Sequence, residues 1–256
     1  MIQLQMIDTV KSIAQKDDNV SAVFMYGSFT KDEGDQYSDI EFYIFLKDKE
    51  NFSGQLWVNQ IYPTALYFIN EYGSEVAVFE NLVRGEFHFL PVNEIDVIRS
   101  WEGSVAFSDF DKMNIIDKDG LLADILAQVT IKSPERSTNE NTLFLSKSLL
   151  NVLLTTNNLL KRKEYAHAYQ SLLVVQKYLL WLIRLATHQT DHWESPTKGL
   201  EKDINNDWYK DFTSTTSDLI SANLEIALKN SFELSHKLFD RLGVAPDLKM
   251  LLRKIE

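Results

Sequence analysis

The sequence predicts an α+β chain in two parts, a mixed α/β domain over residues 1–134 and an α-helical bundle over residues 135–256. Three observations carry that prediction. Apolar periodicity is short and alternating before Pro134 and long and helical after it. Turn chemistry (Gly27-Ser28, Gly73-Ser74, Asp119-Gly120) is concentrated in the first part. The 256 residues are 45% hydrophobic and 25% charged, ordinary for a globular chain long enough to bury its own core.

Taken in order, residues 3–16 read as an amphipathic helix on Leu4, Ile7, Val10 and Ile13. Residues 20–26 are a short β-branched and aromatic run, a buried strand that Gly27-Ser28 ends. A polar, turn-rich segment over 31–38 leads to a second, alternating strand over 39–46. Further strands are expected at 66–69, 75–79 and 86–90, the first two joined as a hairpin through Glu71-Tyr72-Gly73-Ser74. The turn Asp119-Gly120 opens a helix over 121–129. Beyond Pro134, a helix over 138–161 takes Thr138 or Asn139 as its cap, and a second covers 164–188. Shorter helices are expected at 208–226, 231–242 and 246–255, and their short loops imply a bundle. Tyr165, Tyr169, Tyr178 and Trp181 form an aromatic stripe that reads as bundle core or dimer contact rather than as a pocket wall.

Composition excludes several chemistries. With no cysteine, disulfides, thiolate nucleophiles and Cys-ligated zinc are out, and the cytoplasm is the simplest location. No run of about 18 apolar residues exists, so no membrane span is expected. Net charge is −11 and uneven: residues 1–135 hold 10 Lys+Arg against 23 Asp+Glu, whereas residues 136–256 hold 16 against 14. An acidic first half repels a nucleic acid and suits a cationic small molecule or bound metal ions.

The chemistry lies in Tyr26-Gly27-Ser28-Phe29-Thr30-Lys31 and Asp39-Ile40-Glu41-Phe42. Alternation puts Asp39, Glu41 and Tyr43 on one strand face and Ile40, Phe42 and Ile44 on the other, which is core. Carboxylates two residues apart lie about 6–7 Å apart at Cα, close enough to share one divalent cation. Such a cation, Mg²⁺ by its oxygen preference, relieves their repulsion. The Gly27-Ser28 bend offers backbone N–H groups and a hydroxyl to a phosphate. Downstream, Glu86 and His88 share a face while Phe87 and Phe89 fill the core. Glu86 is a candidate proton acceptor, with Glu75 and Glu80 as competitors, and Arg84 can meet phosphate. Lys31 reads either as a phosphate contact or as a solvated loop lysine.

Gly27-Ser28, a ten-residue spacer and Asp39-Ile40-Glu41 resemble the signature of the nucleotidyltransferase superfamily that includes DNA polymerase beta. The strings YGSFTKDEGDQYSDIEFYIFL and NEYGSEVAVFENLVRGEFHFL resemble more closely the two-domain lincosamide nucleotidyltransferases, over residues 20–90 at least. The resemblance implies a polymerase-beta-like domain with a mixed sheet, followed by a helical bundle that shapes an acceptor pocket and dimer contacts. It implies transfer of AMP, or another nucleoside monophosphate, from a Mg²⁺-bound triphosphate such as ATP to a hydroxyl of a drug. It makes Asp39 and Glu41 the metal ligands and Glu86 the base. Gly27 and Ser28 become nucleotide contacts and His88 an acceptor contact; beside them, Lys31 and Arg84 are further candidates for nucleotide contact and Tyr43 for acceptor contact. An aminoglycoside is the rival acceptor. A non-catalytic nucleotide-binding or toxin–antitoxin partner is the rival class.

Overall fold

A computed structural model describes residues 1–102, 107–130 and 133–256. The chain divides into two units, Met1–Pro134 and Glu135–Glu256.

The first unit is built on six strands: β1 (Val20–Tyr26), β2 (Ile40–Leu46), β3 (Thr64–Ile69), β4 (Glu75–Phe79), β5 (Arg84–Pro91) and β6 (Asn114–Asp117). Their order in the sheet is β3-β4-β5-β2-β1-β6. Only β2 and β5 run parallel; the other neighbours are antiparallel, so the sheet is mixed. Helices α1 (Ile2–Lys16) and α2 (Gly54–Val58) belong to one side, where Met6, Val10 and Trp57 pack with Val23, Phe42, Ile44, Phe87 and Phe89. On the other side, α3 (Phe110–Met113), α4 (Leu121–Leu126) and a 3-10 segment over Val92–Trp101 cover Ala22, Phe24 and Phe45. β1 is enclosed on both faces, which is why its sequence, Ser21 apart, is apolar rather than alternating.

Several sequence expectations change. The buried stripe of α1 is Gln3, Met6, Val10 and Ala14, not Leu4 and Ile13; Leu4 is exposed. Gln3 is polar, so hydropathy alone points to the neighbouring face. Val92–Trp101, for which the helical and strand periods predict no element, is a 3-10 segment whose buried residues Ile95 and Ile98 recur at its three-residue period. The helix expected over 121–129 ends at Leu126.

The second unit contains α5 (Asn139–Lys161), α6 (Tyr165–Thr187), α7 (Leu200–Asp203), α8 (Asn206–Thr213), α9 (Ser221–Arg241) and α10 (Pro246–Ile255). Thr138 caps α5, its hydroxyl accepting from Asn141 N. Leu149, Leu153, Leu172, Val175, Leu182, Phe232, Leu238 and Leu252 share one core, and Tyr165, Tyr169, Tyr178 and Trp181 pack against it. The expected helices over 208–226 and 231–242 are instead α8 and an unbroken α9. Residues 214–220 leave the helix because Thr215 and Thr216 hydroxyls bond back to nearby carbonyls while Asp218 accepts from Ile220 N. Ser231 does not start a helix; its hydroxyl donates to the Ala227 carbonyl inside one.

Among the described residues, no helix is long and apolar enough to cross a membrane.

Candidate active site

The site begins where β1 ends. Gly27 has φ +84°, a conformation that L side chains rarely adopt, and a Cβ there would overlap the Glu41 carboxylate. A glycine is thus required both by the backbone and by the side chain lying on it. Ser28–Lys31 then form a 3-10 turn, pinned by buried Thr30, whose hydroxyl donates to Gly27 O at 2.8 Å. The first N–H groups of such a turn have no acceptor within it.

Strand register assembles the acids. In the parallel β2–β5 pair, Glu41 lies opposite Glu86 and Tyr43 opposite His88. Asp39 immediately precedes β2 and Arg84 opens β5, so they meet at the same end. Arg84 Nη1 donates to Asp39 Oδ2 at 2.6 Å and Nη2 to Glu86 Oε2 at 2.8 Å. The His88 ring stacks on Tyr43 with centroids 4.1 Å apart and planes 6° apart. Its Nε2 lies 3.1 Å from the Tyr26 hydroxyl, 3.4 Å from Ser74 Oγ and 3.7 Å from Glu86 Oε1. The Trp101 ring also lies against Tyr43, with centroids 4.7 Å apart and planes tilted by 50°.

These contacts set the charges. Burial pushes the Glu86 carboxyl up, but hydrogen bonds from Ser74 and Arg84 and the charge of Arg84 outweigh it, and the net shift is downward. Glu86 is therefore ionised near neutrality and able to accept a proton. Burial depresses His88 against the opposing pull of Glu86 and Glu75, which favours neutral imidazole. Burial, with Glu86, raises both Tyr26 and Tyr43, so both stay protonated. Tyr26 can then donate to His88 Nε2.

Asp39, Arg84, Glu86, His88 and Tyr43 are thus joined by direct contacts, with Glu41 facing Glu86 across the strands and lying on Gly27. Arg84 sits on carboxylates. Lys31 ends the 3-10 turn as a partly exposed residue. Of the competing acids, Glu75 lies opposite Phe87 and therefore on the other face of the sheet, hydrogen-bonded to Tyr67 and paired with Lys49. Glu80 lies in the turn after β4 and is exposed.

Sequence reasoning assigned no role to Ser74, Tyr26, Trp101 or Gln3. Ser74, 2% exposed, ends the β3–β4 turn one residue before Glu75, and extending the hairpin register places it beside His88. Gln3 is buried in α1, and its amide donates to Gln36 O at 2.7 Å and to Ser38 O at 3.5 Å, the carbonyl preceding Asp39. A polar residue in the buried stripe of a helix was the available signal.

Among the described residues, no three His, Asp or Glu side chains form a ready cation cage. Mg²⁺ does not require one. It binds through one or two carboxylates, keeps several waters and takes phosphate oxygens from its substrate. The all-oxygen donors of Asp39 and Glu41 fit that pattern.

Two family models match the chain. Residues 8–66 match the polymerase beta nucleotidyltransferase family, and residues 138–255 match the C-terminal domain of the lincosamide nucleotidyltransferase-like family. Two solved structures are similar at 16% identity each. An aminoglycoside 6-adenyltransferase from Bacillus subtilis has a TM-score of 0.44, with 98% of this chain and 97% of that one covered. A nucleotidyltransferase-like protein from Exiguobacterium sibiricum 255-15 has a TM-score of 0.39, with 93% and 77% covered. No curated protein matches the chain. The chain thus carries a domain of the polymerase beta nucleotidyltransferase family, followed by a C-terminal domain of the lincosamide nucleotidyltransferase-like family.

Proposed function

We propose that the protein transfers a nucleoside monophosphate, AMP from ATP in the simplest case, to a hydroxyl of a lincosamide such as lincomycin or clindamycin. The observation that carries this reading is the gathering of Asp39, Glu41 and Glu86 at one end of a sheet face, beside the Gly27-Ser28 bend. The C-terminal family match supports the acceptor class.

Asp39 and Glu41 are assigned to Mg²⁺, which when bound neutralises charge at the phosphates. Gly27 and Ser28 offer N–H and hydroxyl donors to the triphosphate, with Lys31 and Arg84 as its cationic partners. Glu86 takes the proton of the acceptor hydroxyl as that oxygen bonds the α-phosphorus in line, and pyrophosphate departs with the bonding electrons. Neutral His88, held flat on Tyr43, presents a polar edge to the acceptor. Acceptor recognition and homodimer contacts are assigned to residues 135–256. The net −13 of residues 1–135 also favours a second reading, a polycationic aminoglycoside acceptor.

Incubation with Mg²⁺, α-labelled ATP and lincomycin, clindamycin or kanamycin tests both. The proposal expects label on a lincosamide with equimolar pyrophosphate. Label on kanamycin alone selects the second reading, and no label on any acceptor overturns both. Sedimentation equilibrium reads the oligomeric state.

A further inference from the structure

Three carboxylates at one end of a sheet face repel one another, and Arg84 is the cation placed among them. Its two Nη atoms do not clamp a single acid. One takes Asp39 Oδ2 and the other takes Glu86 Oε2, so the guanidinium bridges two acids on separate segments. Backbone register dictates this, since Arg84 enters β5 where Asp39 enters β2 and Glu86 follows two residues later on the same face. The bridge is half open to solvent, with the Arg84, Asp39 and Glu86 side chains 36%, 37% and 20% exposed. A pair that exposed adds little stability and exchanges readily.

We propose that Arg84 is a built-in competitor of the divalent cation for Asp39, and that arrival of the cation with its nucleotide transfers the guanidinium from Asp39 to the triphosphate. This rests on the reading of Asp39 as a metal ligand. Asp39 Oδ2 is the oxygen in contention. A cation on that carboxylate and a guanidinium on the same atom repel each other, so occupation by one weakens the other. The fork that Asp39 releases has donors spaced for phosphate oxygens, which a lysine head would not reproduce. Metal and nucleotide then bind cooperatively, because the nucleotide rehouses the group that obstructs the metal.

Mn²⁺ is the probe, its free concentration read by electron paramagnetic resonance with and without a non-hydrolysable ATP analogue, so neither acceptor nor turnover is needed. Arg84→Gln is expected to bind Mn²⁺ alone about tenfold more tightly than the wild type. Arg84→Lys, which keeps the charge but cannot span both acids, is expected to fall between them. The analogue should strengthen Mn²⁺ binding in the wild type several-fold more than in Arg84→Gln. Asp39→Asn, run alongside, should lose Mn²⁺ affinity. If Asp39→Asn loses it while Arg84→Gln and Arg84→Lys match the wild type, the competition is overturned and the metal-ligand reading stands. If Asp39→Asn binds Mn²⁺ as the wild type does, the metal-ligand reading itself fails.

Discussion

At Gly27 two physical constraints coincide, a positive φ and a carboxylate lying where a side chain would begin. Gly27→Ala should therefore act twice. The backbone strain costs about 1–3 kcal/mol, read as a lowered denaturation midpoint. The new methyl also displaces the flexible end of Glu41, so Mn²⁺ affinity should fall even at temperatures where the variant is fully folded. Asp39→Asn, by contrast, keeps the shape of its side chain, and unfolding should show a native-like midpoint while nucleotidyl transfer is lost. Glu86→Gln removes the proton acceptor yet leaves an amide oxygen for Arg84. It should lower kcat about 10²–10⁴-fold, and a loss confined to KM would make Glu86 a binding residue instead. The depressed pKa of Glu86 follows from the Ser74 and Arg84 bonds overcoming burial, which no reading of residue types at 86–88 exposes.

At the scale of elements, alternation within a strand was legible. Glu41 and Tyr43, or Glu86 and His88, are separated from Phe42 or Phe87 by the period-2 rule alone. What alternation does not reveal is which face of one strand continues which face of another. Glu75 and Glu86 both looked eligible as the third acid, and only the β4–β5 register puts Glu75 on the far side. The loop before Asp39 shows the same limit. Its Asp35–Ser38 turn is closed locally, with Ser38 Oγ donating to Asp35 Oδ1, but it is tethered by Gln3 from the first turn of α1. Gln3→Leu keeps α1 buried and removes the tether. Amide hydrogen exchange should accelerate at residues 35–39 while the central strands stay protected, and unchanged exchange there would deny Gln3 that role. In the second unit, a Thr/Ser/Asp-rich stretch broke a helix that hydrophobic spacing had carried through, because side-chain hydroxyls competed for the backbone.

At the scale of the whole molecule, the two units have separate cores. The helical unit contains one fully buried charge, Arg184, which donates to the carbonyls of Gln189, Pro196 and Lys198 and to Asp203. Asp203 also bonds His192 Nδ1 at 2.7 Å. Burial raises the Asp203 carboxyl, but the bonds and charges of His192 and Arg184 overcome that and lower it. A carboxyl depressed in the folded state stabilises fully above its unfolded value of about 3.9, and that contribution fades as pH falls through the lower folded value. Thermal unfolding followed between pH 7 and pH 2 should show an acid-side loss in the wild type. Asp203→Asn should cost about 1–3 kcal/mol at pH 7 and show a shallower acid slope. Equal slopes would remove Asp203 from the acid response.

By itself the sequence determined the α+β class, the change of periodicity near Pro134, the glycine-serine bend and the face each acid takes within its own strand. All of these depend on neighbours a few residues apart, where steric and hydrophobic periods act directly. Tertiary structure alone decided that β2 and β5 run parallel in a register that sets Glu41 against Glu86 and Asp39 against Arg84. It also decided that a hairpin turn delivers Ser74 to the back of Glu86. Pairing between segments some forty residues apart is chosen by the burial of Phe42, Phe87 and Phe89 against helices on the opposite face. Polar groups on the site face inherit positions fixed by a core they do not touch.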